Sequence, residues 1–275
     1  MNPATRAIVE ATRRLEPISD TARLDAELLL ADAYGIDRDA LLLRPPVKAP
    51  PEQFWTMIER RQSGEPVAYI TGRRAFWDIE LHVGPGVLVP RQDSEVLIES
   101  AIGHFDGTAG PGRILDLGTG PGTLLLAALD VWPRSTGIGI DNSRRALSYA
   151  AANSQRLDFD QRLEWRVGDW AAGLEETFDL ILANPPYIPD AAEVGPGVRE
   201  FEPGEALFAG GDGLDAYRAL APQLGRLLSA GGLAAVEIGF DQADAVVALL
   251  TRDGLEARVA NDLGGRSRAV LLTGK

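Results

Sequence analysis

The sequence predicts a small helical domain followed by an α/β domain with a doubly wound, mostly parallel sheet of seven strands. Three observations support this fold class. Residues 1–72 carry apolar side chains at three- and four-residue spacing, which is typical of amphipathic helices. Residues 93–275 alternate short aliphatic runs with helical patterns, as α/β folds with parallel strands do. Between them, residues 73–92 alternate around a Gly-Pro-Gly sequence, which predicts a β-hairpin linker.

The helical domain contains three long helical patterns. They are PATRAIVEATRRL, DTARLDAELLLADAYG and PPEQFWTMIERRQSG, with expected starts at Pro3, Asp20 and Pro51. Proline fits the first turn of a helix, where an N–H group has no partner within the helix, and aspartate is a common N-cap. The linker is expected to turn at residues 84–86 and to join this domain to the α/β domain.

Seven aliphatic runs are the predicted strands of the sheet. They read RILDLG, TGIGID, LEWRVGD, FDLILAN, LAAVEIG, EARVAND and RAVLLTG. Helical stretches such as SRRALSYAAANSQRL separate most of them, so crossover connections between parallel strands are available. Only DLGGRS separates the last two runs. Because this connection is too short for a crossover helix, we expect that pair to be antiparallel.

Composition limits the classes of function. Of the 275 residues, 45% are hydrophobic, which is enough for a substantial core, and none is cysteine, which excludes disulfides and cysteine nucleophiles. Forty acidic and 27 basic residues give a net charge of −13, which disfavours a nucleic-acid substrate. The first residues lack an apolar signal core, and no apolar run approaches the ~20 residues of a membrane span. We expect a cytoplasmic monomer without a membrane partner or a metal site.

In a doubly wound sheet, ligands bind beyond the carboxyl ends of the strands. The first strand is followed by the loop DLGTGPG, and Thr123 stands where the G-x-G-x-x-G dinucleotide pattern has its third glycine, which weakens a nicotinamide-enzyme interpretation. The glycines either let a ligand approach the backbone, beside helix N–H groups suited to a carboxylate, or only tighten the turn. The candidate cofactor-binding residues of this loop are Asp116, Gly118, Thr119, Gly120, Pro121 and Gly122.

Two further strand ends carry carboxylates. Asp141 either accepts hydrogen bonds from both hydroxyls of a ribose or caps the helix that follows. Asp169 can accept a hydrogen bond from an adenine amino group beside the apolar wall of Trp170, unless the pair is a capping residue next to a core aromatic. Together, the three strand ends are typical of a site for an adenosine with a carboxylate-bearing tail.

The fourth strand ends in Asn184, Pro185, Pro186 and Tyr187, and here the chain resembles the Class I S-adenosyl-L-methionine-dependent methyltransferases, which have a Rossmann-like fold. The resemblance implies S-adenosyl-L-methionine as cofactor and a planar amide or amino nitrogen as the methyl acceptor. Such a nitrogen is a poor nucleophile, so the site must hold both of its hydrogens and aim its lone pair.

The Asn-Pro-Pro-Tyr sequence supplies the parts of such a clamp. The side-chain oxygen of Asn184, which also borders the cofactor, and the carbonyl of Pro185 are the two expected acceptors. The two prolines bias the backbone before them toward extended conformations and so fix the direction of both acceptors. Tyr187 offers a face to the planar group. No conventional base is required, so neither His82 nor His104 is expected to be catalytic.

Nearly the whole chain resembles the glutamine methyltransferases that modify peptide chain release factors. Beyond the two loops above, the similar segments are EPVAYITG, VLVPRQDSE, EPGEALFAGGDGLDAYR, EIGFDQ and NDLGGRSRAV. The resemblance implies methylation of the glutamine in the Gly-Gly-Gln motif of a release factor, held by the helical domain and the VPRQDSE loop, with Pro90, Arg91 and Glu95 as substrate-binding residues. Glu65 and Tyr69 serve either domain packing or recognition.

The chain departs from the family pattern at two places. Gln92, Asp93 and Ser94 replace a usual Pro-Glu-Thr, and Pro121 is unusual in the glycine loop. Two alternative functions remain open: a methyltransferase of the same fold that acts on an amino nitrogen in nucleic acid or in a ribosomal protein, and an inactive cofactor-binding adaptor. The acidic charge disfavours the first alternative, and the intact clamp disfavours the second.

Overall fold

A computed structural model describes residues 2–251 and 254–274 of the chain. The chain divides into two compact units. The first unit extends to Arg73 and also includes Val83–Pro85 and Glu193–Glu202. The second unit contains Arg74–His82, Gly86–Ala192 and the chain from Pro203 onward. Within the described residues, no helix has the length and apolar composition that crossing a membrane requires.

The first unit is helical, as the apolar spacing predicts. Its helices before the linker are α1 (Pro3–Leu15), α2 (Ala22–Tyr34), α3 (Arg38–Leu43), α4 (Glu52–Gln62) and α5 (Val67–Thr71). Helix α1 begins at the predicted Pro3, and α4 begins directly after Pro51. Helix α2 begins at Ala22 with Thr21 at the N-cap position, so the predicted start at Asp20 is two residues early. The buried face of α1 includes Ala4, Ala7, Ala11 and Leu15, the spacing of a helix that packs along one side.

The linker contains the predicted hairpin, but its turn lies elsewhere. Strands β1 (Arg73–Phe76) and β2 (Ile79–His82) form a two-stranded sheet, so the turn of the hairpin lies at Trp77 and Asp78. Pro85 and Gly86 form a separate turn after β2. Trp77 has a φ of 52°, which is rare for a bulky side chain. Its N–H donates to Glu95 Oε1 at 3.1 Å, a contact between distant residues that a local pattern does not reveal.

All seven predicted strands are present in the second unit. They are β3 (Arg113–Leu117), β4 (Thr136–Asp141), β5 (Leu163–Val167), β6 (Phe178–Ala183), β7 (Leu228–Glu237), β8 (Glu256–Asn261) and β9 (Ser267–Thr273). The remaining helices are α6 (Glu95–His104), α7 (Thr123–Val131), α8 (Arg144–Arg156), α9 (Val198–Phe201, in the first unit), α10 (Asp215–Leu227) and α11 (Ala243–Leu250). The doubly wound fold class is therefore confirmed.

The strand order is β5-β4-β3-β6-β7-β9-β8. Strands β3 to β7 pair parallel with one another, whereas β9 is antiparallel to both β7 and β8. The short DLGGRS connection predicts the antiparallel pair β8 and β9. Ile114 and Leu115 of β3 point to opposite faces of the sheet and are both fully buried, so both faces are covered. The chain winds outward from β3 in one direction and from β6 in the other, which places the switch point of the topology between these two strands.

Candidate active site

A cleft lies beyond the carboxyl ends of β3, β4, β5 and β6, at the switch point of the sheet. Most of the residues selected from the sequence line it: Pro90, Arg91, Asp116, Gly118, Thr119, Gly120, Pro121, Asp141, Asp169, Trp170, Asn184 and Pro186. Gly122, Pro185, Tyr187 and Glu95 were also selected but do not line it. Two lining residues that the sequence analysis did not select, Ser94 and Glu205, carry polar side chains that matter below.

The glycine loop is held against the neighbouring strand through its backbone. The N–H groups of Gly118 and Thr119 both donate to the carbonyl of Ile140, at 2.9 and 3.0 Å. Gly118 and Gly120 have φ values of 72° and 57°, a left-handed conformation that glycine adopts without steric cost. Asn153, which is fully buried in α8, donates through Nδ2 to the carbonyl of Pro121 at 3.0 Å. These contacts fix the path of the loop at the cleft.

Asp116 is a buried carboxyl with one oxygen unused. Its Oδ2 accepts hydrogen bonds from the Thr119 hydroxyl at 2.5 Å and from the Leu125 N–H at 3.2 Å. Its Oδ1 is buried and has no hydrogen-bond partner among the described residues. Burial, with a further contribution from the Asp141 carboxylate, raises the pKa of Asp116 to about 7. A buried polar atom without a partner at the edge of a cleft is typical of a ligand-binding position.

Asp141 lies at the end of β4 and accepts two backbone hydrogen bonds. The N–H of Gly120 donates to Oδ2 and the N–H of Ser143 donates to Oδ1, both at 2.8 Å. Burial raises the pKa of Asp141 above its ordinary value, and the nearby Glu205 carboxylate contributes. Ser143 is the N-cap of α8, because its hydroxyl oxygen accepts the N–H of Ala146. Asp141 therefore does not cap this helix, and it lines the cleft.

The charged side chains that line the cleft are mainly acidic. Asp116, Asp141, Asp169 and Glu205 contribute carboxyl groups, whereas Arg91 contributes the one guanidinium among the lining residues that the structure describes. Trp170 is half-buried, packs against the hydrophobic core and adds an apolar wall. A cleft of this kind suits a ligand that combines a flat apolar group, hydroxyls and positive charge.

At the end of β6, Asn184 is fixed through its amide nitrogen. Nδ2 donates to the Ser94 hydroxyl oxygen at 3.0 Å, which leaves Oδ1 available to accept a hydrogen bond in the cleft. Ser94 is 2% exposed and belongs to the short 3₁₀ turn Gln92–Ser94. In the same turn, Asp93 forms an ion pair with Arg268 at 3.0 Å. The unusual Gln92-Asp93-Ser94 sequence thus retains a hydroxyl and a carboxylate that make specific contacts.

Tyr187 holds the Asn-Pro-Pro-Tyr segment in place through two hydrogen bonds. The Tyr187 hydroxyl donates to Glu237 Oε1 at 3.4 Å, and the Tyr187 carbonyl accepts a hydrogen bond from Gln242 Nε2 at 3.0 Å. Burial, together with the neighbouring Glu237, raises the pKa of the Tyr187 phenol. Gln242 and Glu237 both belong to the EIGFDQ sequence at the end of β7. The EIGFDQ residues therefore hold in place the segment that carries Asn184.

The long EPGEALFAGGDGLDAYR stretch supports the same segment on its other side. The N–H of Ile188 donates to the carbonyl of Leu207, and the N–H of Ala209 donates to the carbonyl of Ile188, both at 2.9 Å. Tyr217, from the same stretch, is fully buried and donates to the carbonyl of Glu237 at 3.0 Å. The residues that follow Asn-Pro-Pro-Tyr are thus paired with a second stretch of backbone, which makes the segment rigid.

The selected residues that do not line the cleft have other contacts. Gly122 is the N-cap of α7 with a φ of 88°. Glu95 begins α6 and accepts the N–H of Trp77. Pro185 is buried, and Tyr187 is bound to Glu237 as described.

Comparison with known proteins agrees with this geometry. Residues 6–72 match the PrmC N-terminal domain, and residues 111–228 match a methyltransferase domain. The chain is 43% identical over 259 residues to the release factor glutamine methyltransferase of Caulobacter vibrioides, covering 92% of this chain and 89% of that protein. It is 40% identical over 274 residues to the release factor glutamine methyltransferase of Moorella thermoacetica, covering 97% and 96% of the two chains.

Solved structures show the same fold at low sequence identity. A methyltransferase from Pyrococcus furiosus is 17% identical with a TM-score of 0.51, covering 71% of this chain and 89% of that one. The 16S rRNA N2 G1207 methyltransferase of T. thermophilus is 18% identical with a TM-score of 0.51, covering 74% and 50% of the two chains. At the identity and coverage of its relatives from Caulobacter and Moorella, the chain belongs to the family of release factor glutamine methyltransferases, which are S-adenosyl-L-methionine-dependent enzymes.

Proposed function

We propose that this protein methylates the side-chain amide nitrogen of the glutamine in the Gly-Gly-Gln motif of peptide chain release factors. The names of its relatives support the substrate class. The observation that carries the proposal is the orientation of Asn184, whose Nδ2 is held by Ser94 so that Oδ1 is available at the edge of the acidic cleft. An oxygen in that place is an acceptor for the hydrogens of a primary amide.

The residues of the cleft fit S-adenosyl-L-methionine. This cofactor supplies a methyl group bonded to a positively charged sulfur, and it also carries an ammonium, a carboxylate, a ribose and an adenine. The unpartnered Oδ1 of Asp116 would accept a hydrogen bond from the ammonium. Asp141 would accept the ribose hydroxyls, and Asp169 with Trp170 would hold the adenine. The acidic lining matches the positive charge of this ligand.

The clamp makes a weak nucleophile competent by orienting it. Asn184 Oδ1 and the Pro185 carbonyl would each accept one hydrogen of the glutamine amide, so that the nitrogen lone pair points into the cleft. Pro186 restricts the backbone of Pro185, which fixes this carbonyl before the substrate binds. As the bond between this nitrogen and the methyl carbon forms, the bond from that carbon to sulfur would break and leave a neutral thioether. The nitrogen would lose one of its hydrogens as a proton to the accepting oxygens or to water. These residues act on the transition state, in which the lone pair first forms a bond.

The first unit would hold the rest of the release factor. Its surface includes Leu43 and Val47, whose side chains are 82% and 81% exposed. A patch of exposed apolar side chains can mark a protein-binding surface, and we assign that role to these two side chains, which are close together in the chain. Docking of a folded substrate on this unit would deliver the glutamine loop at high effective concentration.

Transfer of labelled methyl groups from S-adenosyl-L-methionine tests the proposal. The purified protein is incubated with an intact release factor, with duplex DNA and with ribosomal RNA in parallel reactions. We expect label on the release factor alone, even at low salt, where electrostatics would most favour an enzyme that acts on nucleic acid. Label on DNA or RNA with none on the release factor would contradict the proposal and support the nucleic-acid alternative.

A further inference from the structure

The Asn-Pro-Pro-Tyr segment has few groups of its own with which to hold its position. Pro185 and Pro186 have no backbone N–H, so neither can donate a hydrogen bond. At its start, the segment is held by the Asn184 amide, whose Nδ2 donates to Ser94 Oγ at 3.0 Å. The contacts at its other end, at Tyr187, therefore share control of the direction in which the Pro185 carbonyl points.

The carbonyl of Tyr187 is held by the side chain of Gln242, which immediately precedes α11. Gln242 Nε2 donates to the Tyr187 carbonyl at 3.0 Å and to the Gly213 carbonyl at 3.4 Å. Gln242 Oε1 accepts the N–H of Gly239 at 3.1 Å. Both hydrogens of the amide nitrogen are thus used. An amide turned by 180° would place its oxygen against two carbonyl oxygens, so these contacts select one orientation.

Gly213 encloses the same carbonyl from a second stretch of chain. Its φ is 73°, in the left-handed region that favours glycine. A β-carbon at this position would overlap the Tyr187 carbonyl oxygen and would lie 2.9 Å from Gln242 Nε2. Gly211, two residues earlier, does not have a left-handed φ, and a β-carbon there would meet no atom within 4 Å. The need for glycine is therefore specific to the residue that faces Tyr187.

These contacts join two sequence segments that lie outside the cleft. Gln242 ends EIGFDQ, and Gly213 belongs to EPGEALFAGGDGLDAYR. Neither residue lines the cleft. The carbonyl that they enclose belongs to the residue directly after Pro186, whereas the candidate cofactor residues Asp116 and Asp141 have other partners. A defect at Gln242 or Gly213 should therefore displace the clamp and leave the cofactor site intact.

We propose that Gln242 and Gly213 are positioning residues: they fix the Tyr187 carbonyl and thereby hold the Pro185 carbonyl in the direction in which it accepts a hydrogen of the substrate amide. This inference rests on the proposed function for the identity of that substrate. The two residues affect the rate because the substrate nitrogen must be aligned with the methyl carbon, and a small displacement of its acceptors spoils that alignment.

Kinetics at saturating cofactor and release factor test the role of Gln242. Gln242→Glu keeps the shape of the side chain and an oxygen for the Gly239 N–H, but it replaces the donor to Tyr187 by a second oxygen. We expect kcat to fall about 10- to 100-fold, while calorimetry shows a cofactor affinity close to that of the parent. Equal kcat values in Gln242→Glu and the parent would overturn the inference.

Gln223→Glu is the matched control. Gln223 is half-buried, as Gln242 is. Its Oε1 accepts the N–H of Ala171 at 3.0 Å, and its Nε2 donates to the carbonyl of Ala219 at 2.7 Å. The substitution therefore breaks the same kind of contact away from the clamp, and kcat should stay near that of the parent. An equal fall of kcat in both variants would show a general loss of stability and would overturn the inference.

A second pair of variants perturbs the same carbonyl through Gly213. Gly213→Ala places a methyl group against the Tyr187 carbonyl, whereas Gly211→Ala places one in open space. We expect kcat to fall in Gly213→Ala alone, again with little change in cofactor affinity. Equal kcat values in Gly213→Ala and Gly211→Ala would contradict the role of Gly213, whatever Gln242→Glu shows.

Amide hydrogen exchange, followed by NMR without substrate, separates this inference from the proposed function. The N–H groups of Ile188 and Asp190 donate to the carbonyls of Leu207 and Gly210, both at 2.9 Å, and report on the segment after Tyr187. We expect both to exchange faster in Gln242→Glu than in the parent and in Gln223→Glu. Unchanged exchange would overturn the inference even if the protein methylates release factors. Faster exchange in a protein without that activity would sustain the structural role of Gln242 and reject the proposed function.

Discussion

Replacing Asp116 with asparagine converts the unpartnered oxygen of a buried carboxyl into an NH2 group. The side chain keeps its shape, and its remaining oxygen can still accept from the Thr119 hydroxyl and the Leu125 N–H. Without a ligand, the parent carboxyl is costly when ionised, because Oδ1 is buried without a partner. The substitution therefore removes a source of instability in the free protein and, in the proposed function, also removes an acceptor for the cofactor ammonium.

The magnitude follows from the pKa of this carboxyl. Burial raises the pKa of Asp116 from 3.8 to about 7. Below the pKa of this carboxyl in the unfolded chain, Asp116 is protonated in both states, and the folded protein has its full stability. This stability is lost as the pH rises through the pKa of Asp116 in the folded protein. Asparagine does not titrate. We therefore expect the free energy of unfolding of Asp116→Asn, relative to the parent, to increase by about 2–3 kcal/mol between about pH 5 and about pH 8.

Urea denaturation of the two proteins at both pH values measures this difference, and Asp106→Asn, at an exposed position, is the control whose relative stability should change little. Calorimetry on the same samples should show S-adenosyl-L-methionine binding to Asp116→Asn at least tenfold more weakly than to the parent, because a hydrogen bond to a charged group is lost. A variant whose relative stability does not depend on pH, or which binds the cofactor as tightly as the parent, would refute this account of Asp116.

Three further changes test other parts of the structure. Asp141→Ala should weaken cofactor binding by a few kcal/mol in calorimetry, since the proposed acceptor of two ribose hydroxyls is lost, and unchanged affinity in a folded variant would remove Asp141 from the site. Asn153→Ala removes the buried bridge between the backbones of His82 and Pro121, so urea denaturation should show a loss of about 3 kcal/mol; a loss under 1 kcal/mol would contradict this bridge. Replacing Leu43 and Val47 together by aspartate should raise the KM for an intact release factor at least severalfold and leave kcat/KM for an isolated Gly-Gly-Gln peptide unchanged, and an equal effect on both substrates would place the docking surface elsewhere.

The sheet was predictable because its signals are local. Most strands are short runs rich in aliphatic residues that are followed by glycine, aspartate or asparagine, and the length of each connection decides whether neighbouring strands run parallel. The hairpin turn was not predictable in this way. Gly84 and Gly86 are typical turn residues, yet the hairpin turn lies at Trp77, whose backbone N–H is held by Glu95 eighteen positions later. A tertiary hydrogen bond outweighed the local preference.

In the cleft, too, residues with a local sequence signal were predictable, whereas residues that depend on tertiary contacts were not. Residues at the carboxyl ends of the strands were found because the topology of the sheet brings these ends together, whichever residues their side chains contact. Ser94 and Glu237 were missed, since their contacts with the Asn184 amide and the Tyr187 hydroxyl join residues 50 or more positions apart. One signal was present: Glu237 is an acidic residue that ends the otherwise apolar stretch LAAVE, and a buried carboxylate in a central strand calls for an explanation.

The most direct test of the clamp locates the methyl group and measures what Asn184 contributes to its transfer. Release factor treated with the parent protein and S-adenosyl-L-methionine is digested and analysed by tandem mass spectrometry, while the initial rates of the parent and of Asn184→Ala are compared at saturating concentrations of both substrates. We predict a single methyl group on the Gly-Gly-Gln glutamine and a turnover at least ~100-fold lower in Asn184→Ala, similar to the loss of one oxyanion-hole donor in other enzymes. A methyl group on another residue, or turnover in Asn184→Ala within a few-fold of the parent, would contradict the clamp mechanism.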